Sequence, residues 1–167
     1  MRTHEIKPQA IASVIVNGPS LISRLVNRPA QPNPSPNYAR LCMPYVLAKV
    51  MQHGELRPAH YWPAELCDAR TFEIAQKVQM TIDDNPDPNA FTPVTVNVTL
   101  TNGTQHQVTL DHMLASPQRP LSAAQCQAKF KQCCAQATQP PKQPDHLFHQ
   151  LMALASVDDV AALLHTH

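Results

Sequence analysis

Between Leu41 and Met51 the chain reads LCMPYVLAKVM, and only Pro44 and Lys49 interrupt its apolar residues. A segment apolar nearly all round is a helix covered on several sides. Pro44 lacks an N–H and fits a helix only in its first turn, which puts the start of regular helix near Leu41 to Met43. Gly54 can take the left-handed conformation that ends a helix, and His53 falls in the last turn, where a cation is tolerated. The stretch from Tyr38 to Gly54 therefore encodes both ends of a central, buried helix. Its entrance is polar: Arg40, Cys42 and Tyr45 bring a guanidinium, a thiol and a phenol to the mouth of an apolar segment.

The remaining bounds are broad. A chain of 167 residues makes one domain, or one domain with an appendage. A net charge of +1, with 15% charged residues, lacks the basic footprint of nucleic-acid binding, so no nucleic-acid partner is expected. No apolar run approaches the ~20 residues that cross a bilayer, so no membrane partner is expected either. The start, MRTHEIKPQ, has no apolar signal-peptide core, which points to a cytoplasmic protein. The five cysteines show no C-x-x-C spacing, and Cys133 and Cys134 are adjacent, so all five read as free thiols in a reducing compartment. Seventeen prolines stand against three glycines. They cluster at Pro29 to Pro36, Pro86 to Pro93 and Pro140 to Pro144, between strongly patterned segments, and so mark rigid connections.

Ile11 to Val16 reads as a strand, closed by Asn17-Gly18-Pro19, and Ser20 is placed to cap a short helix, LISRLV. After Gly54 two short helices are expected, the second starting near Asp68 or Arg70. Val78 to Ile82 alternates as a strand does. Val94, Val96, Val98 and Leu100 alternate with threonine and asparagine, Asn102-Gly103 turns, and Gln105 to Leu110 returns, which predicts a β-hairpin with a type I′ turn. Beyond Pro120 the chain becomes helical. Ser122 and Gln125 form a capping box, with Leu121 and Cys126 placed as a hydrophobic staple. A second helix carries Leu147, Leu151 and Leu154, and a third, capped by Ser156, carries Val160, Leu163 and Leu164. Three short helices bury little against one another and leave an apolar stripe in need of a partner.

In order, ARLCMPYVLA, the hairpin and SPQRPLSAAQCQAKF resemble the C-terminal part of MmgE/PrpD proteins, a family that includes 2-methylcitrate dehydratase, cis-aconitate decarboxylase and iminodisuccinate epimerase. The family motif A-R-[FL]-S-x-P-Y stands as Ala39, Arg40, Leu41, Cys42, Met43, Pro44 and Tyr45, with cysteine in place of serine. The motif G-x-P-x-x-P-[LM]-[ST], followed by K-F, stands as Ala115, Pro117, Pro120, Leu121 and Ser122, then Lys129 and Phe130, with alanine in place of glycine. The resemblance covers essentially the whole chain. It implies an α+β class, an antiparallel sheet packed on helices, with a chorismate-mutase-like lid over residues 1–118. Residues 119–167 would be helices that, in full-length relatives, return to a large helical domain. It also implies that this N-terminal helical domain is missing from the sequence, so the chain would be a truncated or split enzyme, inactive alone.

The implied activity is that of a lyase or isomerase acting on small di- or tricarboxylic acids, without a metal or other cofactor. The family's acid/base residues lie mostly in the helical domain. The share carried by this region falls on Tyr45, as a catalytic and substrate-binding residue, and on Arg40, as a substrate-binding residue. A guanidinium matches a carboxylate through two parallel hydrogen bonds, and a phenol can donate to a carboxylate or help move a proton. The implied partners are a small polycarboxylate and either a separate helical-domain chain or a homodimer. The alternative function is a non-catalytic remnant, or an interaction or small-acid-binding domain.

Ordinary readings stand beside these. Arg40 can be a helix-entry arginine paired with a surface carboxylate, and Tyr45 a core tyrosine with a satisfied hydroxyl. Cys42 reads as a packed thiol. His146, His149, His165 and His167 lack the further ligands that a metal site needs. His60 and His112 lie in loops and read as structural, and Lys129 with Phe130 seats the first helix of the tail.

Overall fold

In a computed structural model the protein is described over residues 6–156 and at residues 160 and 161. It forms two compact units, Met1–Arg119 and Pro120–His167. In the first, strand β1 (Ile11–Gly18) leads into α1 (Ser20–Val26), α2 (Pro36–Arg40), α3 (Met43–His53), a 3-10 turn (Pro58–Tyr61), α4 (Pro63–Leu66) and α5 (Ala69–Ala75). Then come β2 (Val78–Ile82), β3 (Val94–Leu100) and β4 (Gln105–Leu110). The class is α+β.

The four strands form one sheet in the order β2-β1-β3-β4. The expected antiparallel sheet is in fact mixed: β1 pairs antiparallel with β3, and β3 with β4, but β1 and β2 are parallel, with Val14 opposite Val78. The cause is connectivity. A tight turn can only reverse a strand, whereas the helical crossover between β1 and β2 brings the chain back to run in the same direction.

The central helix starts and stops where its sequence says. Cys42 is the extended N-cap residue, Pro44 occupies the first turn, and Gly54 closes the helix at φ 75°, its N–H donating to the Val50 carbonyl at 2.8 Å. The helix is apolar all round because it divides two cores. Ala48 and Met51 join Ile11, Val14, Val16, Ile74, Ala75 and Val78 in a core with the sheet and α5. Tyr45 joins Ala39, Cys42 and Leu66 in a second, smaller core.

Two local readings need correction. Ser20 is the first residue of α1 and not its cap; Pro19 holds that place and makes no side-chain bond. The hairpin turn is not type I′, which needs positive φ at two residues, because only Gly103 (φ 85°) has it. Thr99 pairs with Gln105, Leu100 accepts from the Gly103 amide, and Thr104 accepts from the Leu100 amide, so the loop spans three residues. Asn102 Oδ1 takes the Thr104 N–H at 3.0 Å. That side-chain bond favours the longer loop over a two-residue turn.

In the second unit, α6 (Ala123–Cys134) carries the Ser122/Gln125 capping box, and α7 (Pro144–Met152) follows. Phe130 and Phe148 rings meet at 5.6 Å, and Asp145 accepts from both Lys131 Nζ and Gln127 Nε2 at 2.8 Å. Leu154 is not on the α7 stripe, because the helix ends at Met152 and Leu154–Ser156 is a 3-10 turn. Of the third expected helix, Val160 and Ala161 are helical, and the rest lies outside the described residues.

The left-handed Gly54 generates a direct test. Gly54→Ala should lower the stability of the protein by about 1 kcal/mol, because a Cβ in that conformation crowds the following carbonyl. Equilibrium urea denaturation measures it, and an unchanged midpoint would refute the cap's contribution.

Candidate functional site at the entrance of the central helix

The short helix α2 is capped by Ser35, whose hydroxyl accepts the Tyr38 N–H, and it breaks at Leu41 before α3 begins. This break presents the motif residues on different sides. Cys42 is buried, its thiol directed at the carbonyls of Arg28 (3.3 Å) and Pro29 (3.7 Å). Burial pushes that thiol above its ordinary pKa, so it stays protonated and packs, as an inert fastener for the proline-rich crossing. Tyr38 adds a second tie, its hydroxyl donating to the Pro29 carbonyl at 2.9 Å.

Tyr45 is 5% exposed, and its hydroxyl donates to the backbone carbonyl of His60. Burial first, then the nearby charges of Glu65 and Asp68, raise its pKa far above the usual phenol value. It is thus a permanent hydrogen-bond donor committed to the protein's own backbone. Arg40 is exposed. Its Nη1 donates to Asn37 Oδ1 at 2.9 Å and its guanidinium lies 5.4 Å from the Tyr61 ring. No carboxylate among the described residues forms a salt bridge with it.

The two motif residues meet through a third. The Arg40 guanidinium lies 5.4 Å from the Tyr61 ring, the Tyr61 and Tyr45 rings are 6.1 Å apart and tilted by 36°, and Lys49 Nζ lies 5.7 Å from the Tyr45 ring. The result is a run of contacts from cation to ring to ring to cation, exposed at Arg40 and buried at Lys49. Each cation is held by the electron-rich face of the ring it meets. A hollow beside Tyr45 has room for about 10 Å³, about one water, and is lined by Cys42, Leu66, Asp68 and Thr71.

Lys49, which interrupts the apolar run of the central helix, proves to be part of the site. It is 0% exposed, with Nζ 2.7 Å from Glu65 Oε2 and 3.6 Å from Asp68 Oδ2. The signal was present: a lysine inside an otherwise apolar helix must find carboxylates, because a buried ammonium left unpaired is too costly. Asp68 caps α5 through Oδ1 and the Arg70 N–H, while its Oδ2 takes Thr71 Oγ1 at 2.6 Å and Gln52 Nε2 at 3.2 Å. Burial alone would raise the Asp68 pKa. The bonds from Thr71, Gln52 and the Arg70 amide, with Lys49, outweigh it and bring the carboxyl down to about 2. Glu65 is lowered chiefly by its hydrogen bond from Lys49.

His60 is buried rather than displayed on a loop. Its Nδ1 accepts the Arg57 N–H at 3.2 Å, and its ring stacks on His53 at 4.5 Å. Burial first, and then His53, lower its pKa, which keeps Nδ1 free to accept. His112 is exposed.

The Lys49 network yields an ordering of variants. In Lys49→Met the two acids left behind are more than a third exposed and rehydrate, so the loss should be about 1 kcal/mol or less. The double change Glu65→Gln with Asp68→Asn strands a buried ammonium and should cost about 3 kcal/mol or more. Urea unfolding decides, and the reverse order would refute the network as described. Because the Asp68 pKa is depressed in the fold, its contribution is present above the unfolded value of about 4 and lost as pH falls toward about 2. Asp68→Asn should flatten the acid limb of the stability–pH curve in that window.

Comparison with known families matches residues 1–152 to the MmgE/PrpD C-terminal domain. Comparison with curated proteins finds no match. Since the match takes in both the Arg40–Tyr45 motif and the Lys129–Phe130 motif, the chain belongs to the MmgE/PrpD family and constitutes its C-terminal domain.

Proposed function

We propose that this domain is the cover of a site for small di- or tricarboxylic acids in an MmgE/PrpD-type lyase or isomerase of the 2-methylcitrate dehydratase kind. The acid/base residues would come from a helical domain, whether in the same polypeptide or another. The observation that carries this reading is Arg40, an exposed guanidinium held by Asn37 and Tyr61 with no carboxylate of its own among the described residues. A guanidinium fixed in this way has nitrogens left for a carboxylate from outside, and it loses little side-chain entropy when it binds.

The space beside Tyr45 admits about one water, so a polycarboxylate would rest against the surface at Arg40 and be enclosed only when another domain closes over it. Removing a proton next to a carboxylate builds enolate-like charge, and a positive donor fixed at that position lowers the barrier. Tyr45 is then a positioning residue: through the His60 carbonyl it holds the Pro58–Tyr61 turn, which carries the ring that supports Arg40.

A thermal-shift titration with small di- and tricarboxylates tests the reading. A ligand that binds the fold should raise its melting temperature, and Arg40→Ala should lose that shift while keeping the unliganded melting temperature. Tyr45→Phe should lower the unliganded stability by about 1 kcal/mol, through the lost bond to His60, and weaken binding only indirectly. With a helical domain supplied, turnover should appear and depend on Arg40. Turnover by this domain by itself would overturn the division of labour.

A further inference from the structure

Arg28 is a second guanidinium with no carboxylate of its own among the described residues, and it is half-buried where Arg40 is exposed. Its main chain is pinned. Asn27 pairs with Cys42 in an isolated antiparallel bridge, and the Arg28 carbonyl accepts from the Cys42 thiol at 3.3 Å. The guanidinium lies 5.2 Å from the centre of the Tyr38 ring, and the Tyr38 hydroxyl is tied to the Pro29 carbonyl. A cation fixed in place and partly removed from water, with its nitrogens unmatched, favours an anion from outside.

Arg28 lines an open cleft of about 510 Å³ between the proline-rich crossing and β2, which is an edge strand of the sheet. It is the one charged residue among those lining the cleft, which is otherwise bounded by Gln76 and Gln79 and by the apolar Pro44, Val78 and Met80. The ladder fixes which backbone groups of β2 are open. The Val14 amide donates to the Lys77 carbonyl and the Asp83 amide to the Gly18 carbonyl, so the odd-numbered positions of β2 bond β1. The amides and carbonyls of Val78 and Met80 therefore face outward, and no hydrogen bond among the described residues reaches them. Val78 is only 6% exposed, and backbone groups at such depth are rarely left without a partner.

We propose that this cleft binds an apolar amino acid acylated at its nitrogen, with the free carboxylate on Arg28 and the amide on the outer edge of β2. This inference is independent of the polycarboxylate reading at Arg40. Each part of the ligand answers a part of the cleft. One guanidinium with no second cation matches one carboxylate through two parallel hydrogen bonds. A di- or tricarboxylate would leave a further charge against carboxamides and apolar surface, unpaired. The open amides and carbonyls of Val78 and Met80 take the acyl oxygen and the amide N–H, the exchange by which an extended peptide adds to a sheet. Pro44 and Met80 receive the aliphatic side chain, whose removal from water adds to the binding. The volume of the cleft falls within the range of small-molecule sites, roughly 300–1,000 Å³. The same chemistry ends every polypeptide, so the acyl group is either a short cap or the preceding residues of a chain.

Titration of the full chain with N-acetyl-leucine, followed by nuclear magnetic resonance, tests the proposal. A ligand of so few atoms should bind with a Kd of about a millimolar and shift the amide resonances of Val78 and Met80. N-acetyl-leucinamide, which lacks the carboxylate, and acetate, which lacks the amide and side chain, should each bind at least about tenfold more weakly. Arg28→Gln should lose the same factor with unchanged circular dichroism, whereas Arg40→Ala should bind like the wild type. A hexapeptide ending in leucine that binds more tightly than N-acetyl-leucine identifies a chain end as the source of the ligand; equal or weaker binding identifies the free acylated amino acid. If Arg28→Gln fails to fold, the comparison of N-acetyl-leucine with its amide in the wild type decides alone. The absence of a saturable shift at about ten times the expected Kd would overturn the proposal. So would equal binding of the amide, or binding that survives in a folded Arg28→Gln.

Discussion

Burying the Lys49 ammonium is tolerable only because Glu65 and Asp68 meet it, and that one requirement ties α3, α4 and α5 together. Surface ion pairs contribute little, but a cation with no access to water cannot give up its partners without stranding its charge. The helical layer is therefore specified by more than apolar contact. Asp68 serves at once as counter-ion, as cap of α5 and as acceptor for Thr71 and Gln52, so any slip of α5 along α3 would break several charge-assisted bonds together.

The contacts that start at Lys49 extend this order to the surface. The buried cation meets the Tyr45 ring, Tyr45 meets Tyr61, and Tyr61 meets Arg40. Fixing an exposed arginine normally costs side-chain entropy. Here much of that cost falls within folding, since Asn37 and Tyr61 hold the guanidinium before any ligand arrives. The phenol that the motif places at the helix entrance is spent on the His60 carbonyl. The motif's two functional candidates thus separate physically: Arg40 faces outward, and Tyr45 faces inward and supports it.

Where the sequence was legible, one local rule had no competitor. The ends of α3 follow from Pro44 and Gly54, the strands β2, β3 and β4 from period-two alternation, and the start of α6 from Ser122 and Gln125. Where it misled, a second interaction prevailed. The Asn102 side chain drew in the Thr104 amide and lengthened the turn, and the helical crossover made β1 and β2 parallel. Arg40 and Tyr45 could be found from their motif, but not the direction each side chain takes. Lys49 could have been flagged by its apolar surroundings. Its partners Glu65 and Asp68 lie 16 and 19 residues further on, and only the packing of the helices brings them to it.

The same layering explains why one side of the sheet is left open. A helix of eleven residues can cover the strands it crosses, and α3 does so over β1 and β2, where Val14, Val16 and Val78 are buried. Over β3 the cover thins, with each of its residues only partly buried, and at β4 it fails. Valines and a leucine nevertheless continue the apolar alternation out to that edge. An alternating pattern stabilises a strand only if its apolar side is removed from water. Val108 and Leu110 thus keep the alternation of a covered strand at the place where the helical layer no longer reaches, which is why they stand among the exposed apolar residues.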